Sequence, residues 1–100
     1  MKKIVLLCAG GMSSSILVNR MKEAAKEEGY DCDIDAFAYE AVKKVAADAD
    51  CVLIGPQIAY KKNDIMKTVT CPVQDISLSD YGMMNGKAVL QVAKELMGDA

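Results

Sequence analysis

Ile4-Val5-Leu6-Leu7 leads without a break into Cys8-Ala9-Gly10-Gly11-Met12-Ser13-Ser14-Ser15. The first four residues form a continuous β-branched and Leu run, the pattern of a strand buried on both faces. Gly10 and Gly11 then permit a tight turn. Ser13, Ser14 and Ser15 are N-cap candidates for a helix running to about Glu28. Leu17, Met21, Ala24 and Ala25 share one face of that helix, and Gly29 ends it. A buried strand that turns at once into a helix is the first half of a parallel βαβ unit.

The same alternation continues along the chain. Cys32-Asp33-Ile34-Asp35-Ala36 alternates apolar with acidic residues, as an edge strand with one wet face does. Glu40 to Asp48 carries Ala41, Val42, Val45 and Ala46 and predicts a short amphipathic helix. Cys51-Val52-Leu53-Ile54 is a second wholly apolar strand, stopped by Gly55-Pro56. A short helix is expected near Tyr60 to Thr68, then a mixed edge strand Val73-Gln74-Asp75-Ile76 after Pro72. Val89, Val92, Ala93 and Leu96 recur at helical spacing and predict a last helix over about Met84 to Met97. With right-handed crossovers, the two apolar strands belong at the centre and the two mixed ones at the edges. The fold expected is α/β: a small flavodoxin-like, three-layer domain spanning residues 1–100. Its four-stranded parallel sheet has order 2-1-3-4 with helices on both faces. In such sheets ligands sit beyond the carboxyl ends of the strands at the switch point, here between strands 1 and 3. Residues Cys8 to Ser15 and Gly55 to Tyr60 meet there.

Composition narrows the chemistry. In 100 residues there is no His, and Arg20 is the only Arg among 12 basic residues. Catalysis by Ser-His-Asp or Cys-His, His-ligated metals and a phosphohistidine are therefore excluded within this chain. A net charge of -2 argues against a nucleic-acid partner. Cys8, Cys32, Cys51 and Cys71 form no CxxC pair, so neither a zinc site nor a disulfide framework is expected. No metal or cofactor is expected. Lys2-Lys3 and the apolar run after it are too short for a signal peptide, and nothing approaches the ~18 residues of a membrane span. The chain reads as cytoplasmic with reduced thiols.

The loop after strand 1 concentrates the reactive groups. Amides of Ala9, Gly10, Gly11, Met12, Ser13, Ser14 and Ser15, with the serine hydroxyls, can converge on an anion at the positive end of the helix. A thiol at that mouth feels the same field, so the pKa of Cys8 should fall and its thiolate become a nucleophile. A phosphate held there would place its phosphorus close to the Cys8 sulfur, which reads as a phosphocysteine site. Cys32, Cys51 and Cys71 lack that setting and read as packing residues.

These residues resemble a family. The Cys8 loop with Met12-Ser13-Ser14-Ser15, then Leu53-Ile54-Gly55-Pro56-Gln57-Ile58-Ala59-Tyr60, then Tyr81-Gly82, is similar to the lactose/cellobiose-type enzyme IIB component of the bacterial phosphoenolpyruvate-dependent sugar phosphotransferase system. The resemblance covers essentially the whole chain. It implies a phosphoryl carrier, a protein-cysteine phosphotransferase working in the cytoplasm and transiently at the inner face of the membrane. The residue corresponding to Cys8 accepts phosphoryl from a histidine of the IIA subunit. It then passes the group to a disaccharide bound by the membrane-embedded IIC subunit. Lactose, cellobiose or a chitin disaccharide all fit, because sugar recognition belongs to IIC.

Two other classes compete. Low-molecular-weight phosphatases and arsenate reductases resemble this chain in placing Cys at the end of strand 1, but use a C-x5-R loop. Six residues after Cys8 stands Ser14, and Arg20 lies two turns further along the helix. Asp75 and Asp80 are candidate acids for a hydrolase. A receiver or flavin module lacks its acidic pair and its aromatic platforms, Tyr60 being the only well-placed ring. In the second loop Gln57 and Tyr60 are candidate contacts for phosphoryl oxygens or a partner, although Gln57 is equally an ordinary loop amide. Tyr60, Tyr81, Met12, Met83 and Met84 are expected to form an adaptable apolar rim for two successive partners, with Met84 the one best suited to packing instead. Lys43, Lys44, Lys61 and Lys62 read as solvated surface.

Overall fold

A computed structural model describes residues 1–9 and 12–99, the side chains of Met12 and Ser13 excepted. The strands are β1 (Lys2–Cys8), β2 (Cys32–Ala38), β3 (Cys51–Ile54) and β4 (Val73–Asp75), and the helices are α1 (Met12–Glu28), α2 (Val42–Val45), α3 (Lys62–Thr68), α4 (Leu78–Gly82) and α5 (Gly86–Leu96). All the pairings are parallel and the sheet order is β2-β1-β3-β4, as the apolar and mixed strands imply.

The two central strands are apolar throughout because each of their faces is covered. Side chains alternate across a strand. Ile4 and Leu6, with Cys51 and Leu53, pack beneath Leu17, Met21, Val89, Leu90 and Ala93 of α1 and α5. Val5 and Leu7, with Val52 and Ile54, face Val42, Ile58 and Ile65 on the opposite side. In β2 only Ile34 is fully buried while Asp33 and Asp35 stay exposed, so this edge strand keeps one wet face.

Two helices differ from their sequence-based expectation, and one more falls outside it. The segment expected as a helix over Glu40 to Asp48 is a 3-10 turn, Tyr39–Ala41, followed by the single turn of α2. Asp50 accepts the Lys3 N–H at 2.7 Å, so the chain must leave the helix early to reach β3 beside β1. The third helix is preceded by a 3-10 stretch, Pro56–Lys61, kinked at Ile58. Proline at its first position is compatible with a helix start. The last helix is α5, as expected to within two residues, and the short α4 before it was not expected. Ser77 caps α4 by accepting from the Asp80 N–H, Met84 turns at φ 52°, and Asn85 caps α5 by accepting from the Ala88 N–H. Ser77-Leu78-Ser79-Asp80 is a capping signal that the apolar periodicity of α5 overshadowed.

Candidate functional site

Cys8 is the last residue of β1, paired with Ala38 of β2, and only 5% of it is exposed. Its thiol donates to the Phe37 carbonyl oxygen, with Sγ 3.6 Å away. The strand end is fixed from both sides. Leu7 pairs with Phe37 and with Ile54, and its carbonyl accepts the Gly55 N–H at 2.9 Å. Ala9 is an exposed bend residue, and α1 starts at Met12. Ser13 to Ser15 therefore lie inside the first turn of α1 rather than at its cap. Four N–H groups at a helix start lack intrahelical acceptors, and they carry the positive end of the helix dipole. The expected contributions of Gly10 and Gly11, and of the Met12 and Ser13 side chains, fall outside the described residues.

The three serines divide by helical geometry. Ser15 is exposed, whereas Ser14 is 1% exposed, and its Oγ lies 3.1 Å from the Tyr81 hydroxyl. Ser14 falls on the same stripe as Leu17, Val18 and Met21, all buried. That spacing was the available signal that its hydroxyl turns inward. Tyr81 is accordingly a core residue, 7% exposed, and no part of the expected rim. A buried phenol takes a hydrogen-bond partner, and Ser14 supplies it. Met84 is half-buried against the same core, while Met83 and Tyr60 are exposed.

The second loop does reach β1. Gln57 is exposed, and its side-chain oxygen folds over Gly55, 2.9 Å from where a Cβ would stand. Tyr60 is set apart from it. The Lys61 ammonium lies 5.6 Å from the Tyr60 ring and 5.2 Å from that of Tyr39, which follows β2. Tyr60 thus flanks the β2 side of the sheet end.

A hydrolytic constellation is not assembled. Arg20 sits eight residues into α1, roughly 12 Å along its axis from the start, and lines a hollow with Glu23, Glu27 and Met83. Asp75 is paired with Lys62 at 3.2 Å, and Asp80 opens onto a cleft of about 410 Å3 lined by Ile76, Val89, Val92 and Leu96. Among the described residues no group of His, Cys, Asp and Glu is placed to hold a metal ion. No described helix is long and apolar enough to cross a membrane.

Residues 3–92 match the family described as the PTS system, Lactose/Cellobiose specific IIB subunit. The chain belongs to that family. It is a IIB component of lactose/cellobiose type, a phosphoryl carrier of a sugar phosphotransferase system. The oligo-beta-mannoside-specific EIIB component of Bacillus subtilis is 40% identical over 100 residues, covering 97% of each chain. The solution structure of a cellobiose-specific IIB component from Borrelia burgdorferi superposes with a TM-score of 0.82 at 36% identity, covering 98% of this chain and 93% of that one. A lactose-specific EIICB component of Lacticaseibacillus casei is 33% identical over 64 residues, 64% of this chain and 11% of that protein.

Proposed function

We propose that this IIB component carries its phosphoryl group on Cys8. What supports this reading is the position of that thiol: it closes β1, four residues before α1 starts at Met12, at the switch point between β1 and β3. Phosphoryl arrives from a histidine of a IIA subunit. The Cys8 sulfur attacks phosphorus, the S–P bond forms as the imidazole N–P bond breaks, and the thiol proton ends on the imidazole nitrogen. Backbone N–H groups from Ala9 to Ser15, with the exposed Ser15 hydroxyl, stabilise the charge on the equatorial oxygens. Gln57 supplies a further amide from the second loop, and Tyr60 belongs to a docking surface on the β2 side of the sheet end. In the second step a disaccharide hydroxyl bound by a membrane IIC subunit attacks phosphorus. The S–P bond breaks and the hydroxyl proton returns to Cys8. The name EIICB of the Lacticaseibacillus casei relative, which joins IIC to IIB, supports this partner. The whole chain acts as one domain in the cytoplasm, meeting IIC at the inner face of the membrane.

The phosphatase alternative is disfavoured by Ser14. At the place of the hydrolase Arg it offers no cation, and its side chain is engaged with Tyr81. Mass spectrometry after incubation with phosphoenolpyruvate, the upstream carriers and a lactose-type IIA should find a labile phosphoryl adduct on the Cys8 peptide. Cys8→Ser should fold normally and acquire none. Transfer retained in that variant, or brisk hydrolysis of p-nitrophenyl phosphate by the wild type, would refute the assignment.

A further inference from the structure

We infer that Tyr81 is the positioning residue of the Cys8 loop, acting through Ser14. The inference rests on the reading of Cys8 as phosphoryl acceptor. The loop has two ends, and each is tied differently. At the Cys8 end the backbone is held by strand pairing to β2 and by the bond from Gly55 N–H to Leu7 O. At the other end the chain enters α1, and Ser14 is the only buried polar side chain among the described residues. Its side-chain partner among the described residues is the Tyr81 hydroxyl, 67 residues away in sequence.

Tyr81 is well suited to hold that end. Its own backbone is fixed in α4, with its N–H on Ser77 O at 3.0 Å, and Ser77 caps the helix. Its ring edge stands 3.8 Å from where a Gly55 Cβ would be, against the loop that also binds Leu7. One side chain therefore spans the first turn of α1 and the residue adjoining β1. Burial makes the contact directional: a hydroxyl sealed from water loses a full hydrogen bond if its partner is removed. The position six residues after Cys8, where hydrolases carry a phosphate-clamping Arg, here serves to anchor the loop. Ser14 meets the phosphoryl group through its backbone N–H only.

The test uses wild type, Tyr81→Phe, Ser14→Ala and the double variant. Each is followed by single-turnover transfer from phosphorylated IIA and by 31P NMR of the phosphocysteine. Each single variant should stay folded by circular dichroism and slow transfer about tenfold, and Tyr81→Phe should move the phosphocysteine resonance. The double variant should be no slower than either single one, because both remove one contact. Wild-type transfer rate in Tyr81→Phe, or single effects that multiply in the double variant, would overturn the inference; Ser14→Ala reports the same contact should Tyr81→Phe fail to fold. A wild type that takes no phosphoryl group would instead overturn the acceptor reading, and this one with it.

Discussion

The four thiols of this chain occupy different environments: Cys8 and Cys51 are buried, Cys32 and Cys71 half-buried. Cys51 begins β3 inside the core, and burial pushes its thiol from 9.0 up to about 12, with the nearby Cys71 and Asp50 adding to the shift. Cys32 and Cys71 are raised in the same direction, first by burial. The unfolded chain releases the Cys51 proton from about pH 9 while the folded one holds it to about pH 12. Its contribution to stability is thus whole below pH 9 and is lost as the pH climbs through that window. Urea midpoints measured at pH 7.5, 9 and 10.5 should fall at the alkaline end, and fall less in Cys51→Val. An equal fall in both proteins would contradict the assignment. At this scale the place of Cys8 at the end of β1 was legible, and so was the packing of Cys51 in the core. Ser14 was half legible. Helical spacing put it on the buried stripe, but no local rule could name a partner 67 residues on.

Elements were read most accurately where burial on both faces dictates them. β1 and β3 are apolar runs because both of their faces are covered, which buries four consecutive residues in each. The crossovers were less legible, because a short helix depends on what pins its ends. The apolar stripe located the last helix, α5, but not the short α4 that Ser77 caps before the turn at Met84. That turn lets α5 start with Gly86 tight against α1. A Cβ on Gly86 would stand 2.4 Å from the Arg20 carbonyl carbon and 2.6 Å from the Met21 nitrogen. Backbone cannot give way as a side chain can. Gly86→Ala should therefore cost about 3 kcal/mol, the upper end for overpacking, despite the better helix propensity of alanine. Chemical denaturation measures it, and a neutral or stabilising result would show that the helices can part.

Across the whole molecule, stability is centred on the two inner strands. β1 shares seven residue pairs with β2 and four with β3, while the edge strand β4 contributes only three. Amide hydrogen exchange should therefore be slowest in Ile4 to Leu7 and Val52 to Ile54, at the rate of global unfolding, and faster in β4 and α2. Comparable protection of β4 and β1 would disprove that ordering. Cys8 closes β1, the strand paired on both sides. The sequence by itself determined the strand order, the position of Cys8 and the family, because these depend on local hydrophobic pattern and on a contiguous motif. Tertiary structure alone decided which serine faces inward and which tyrosine holds it, that a short α4 precedes the last helix, and that Asp75 is paired with Lys62. These outcomes depend on pairs of groups distant in the chain, whose meeting is set by how the layers close and by the demand that a buried hydroxyl find a partner.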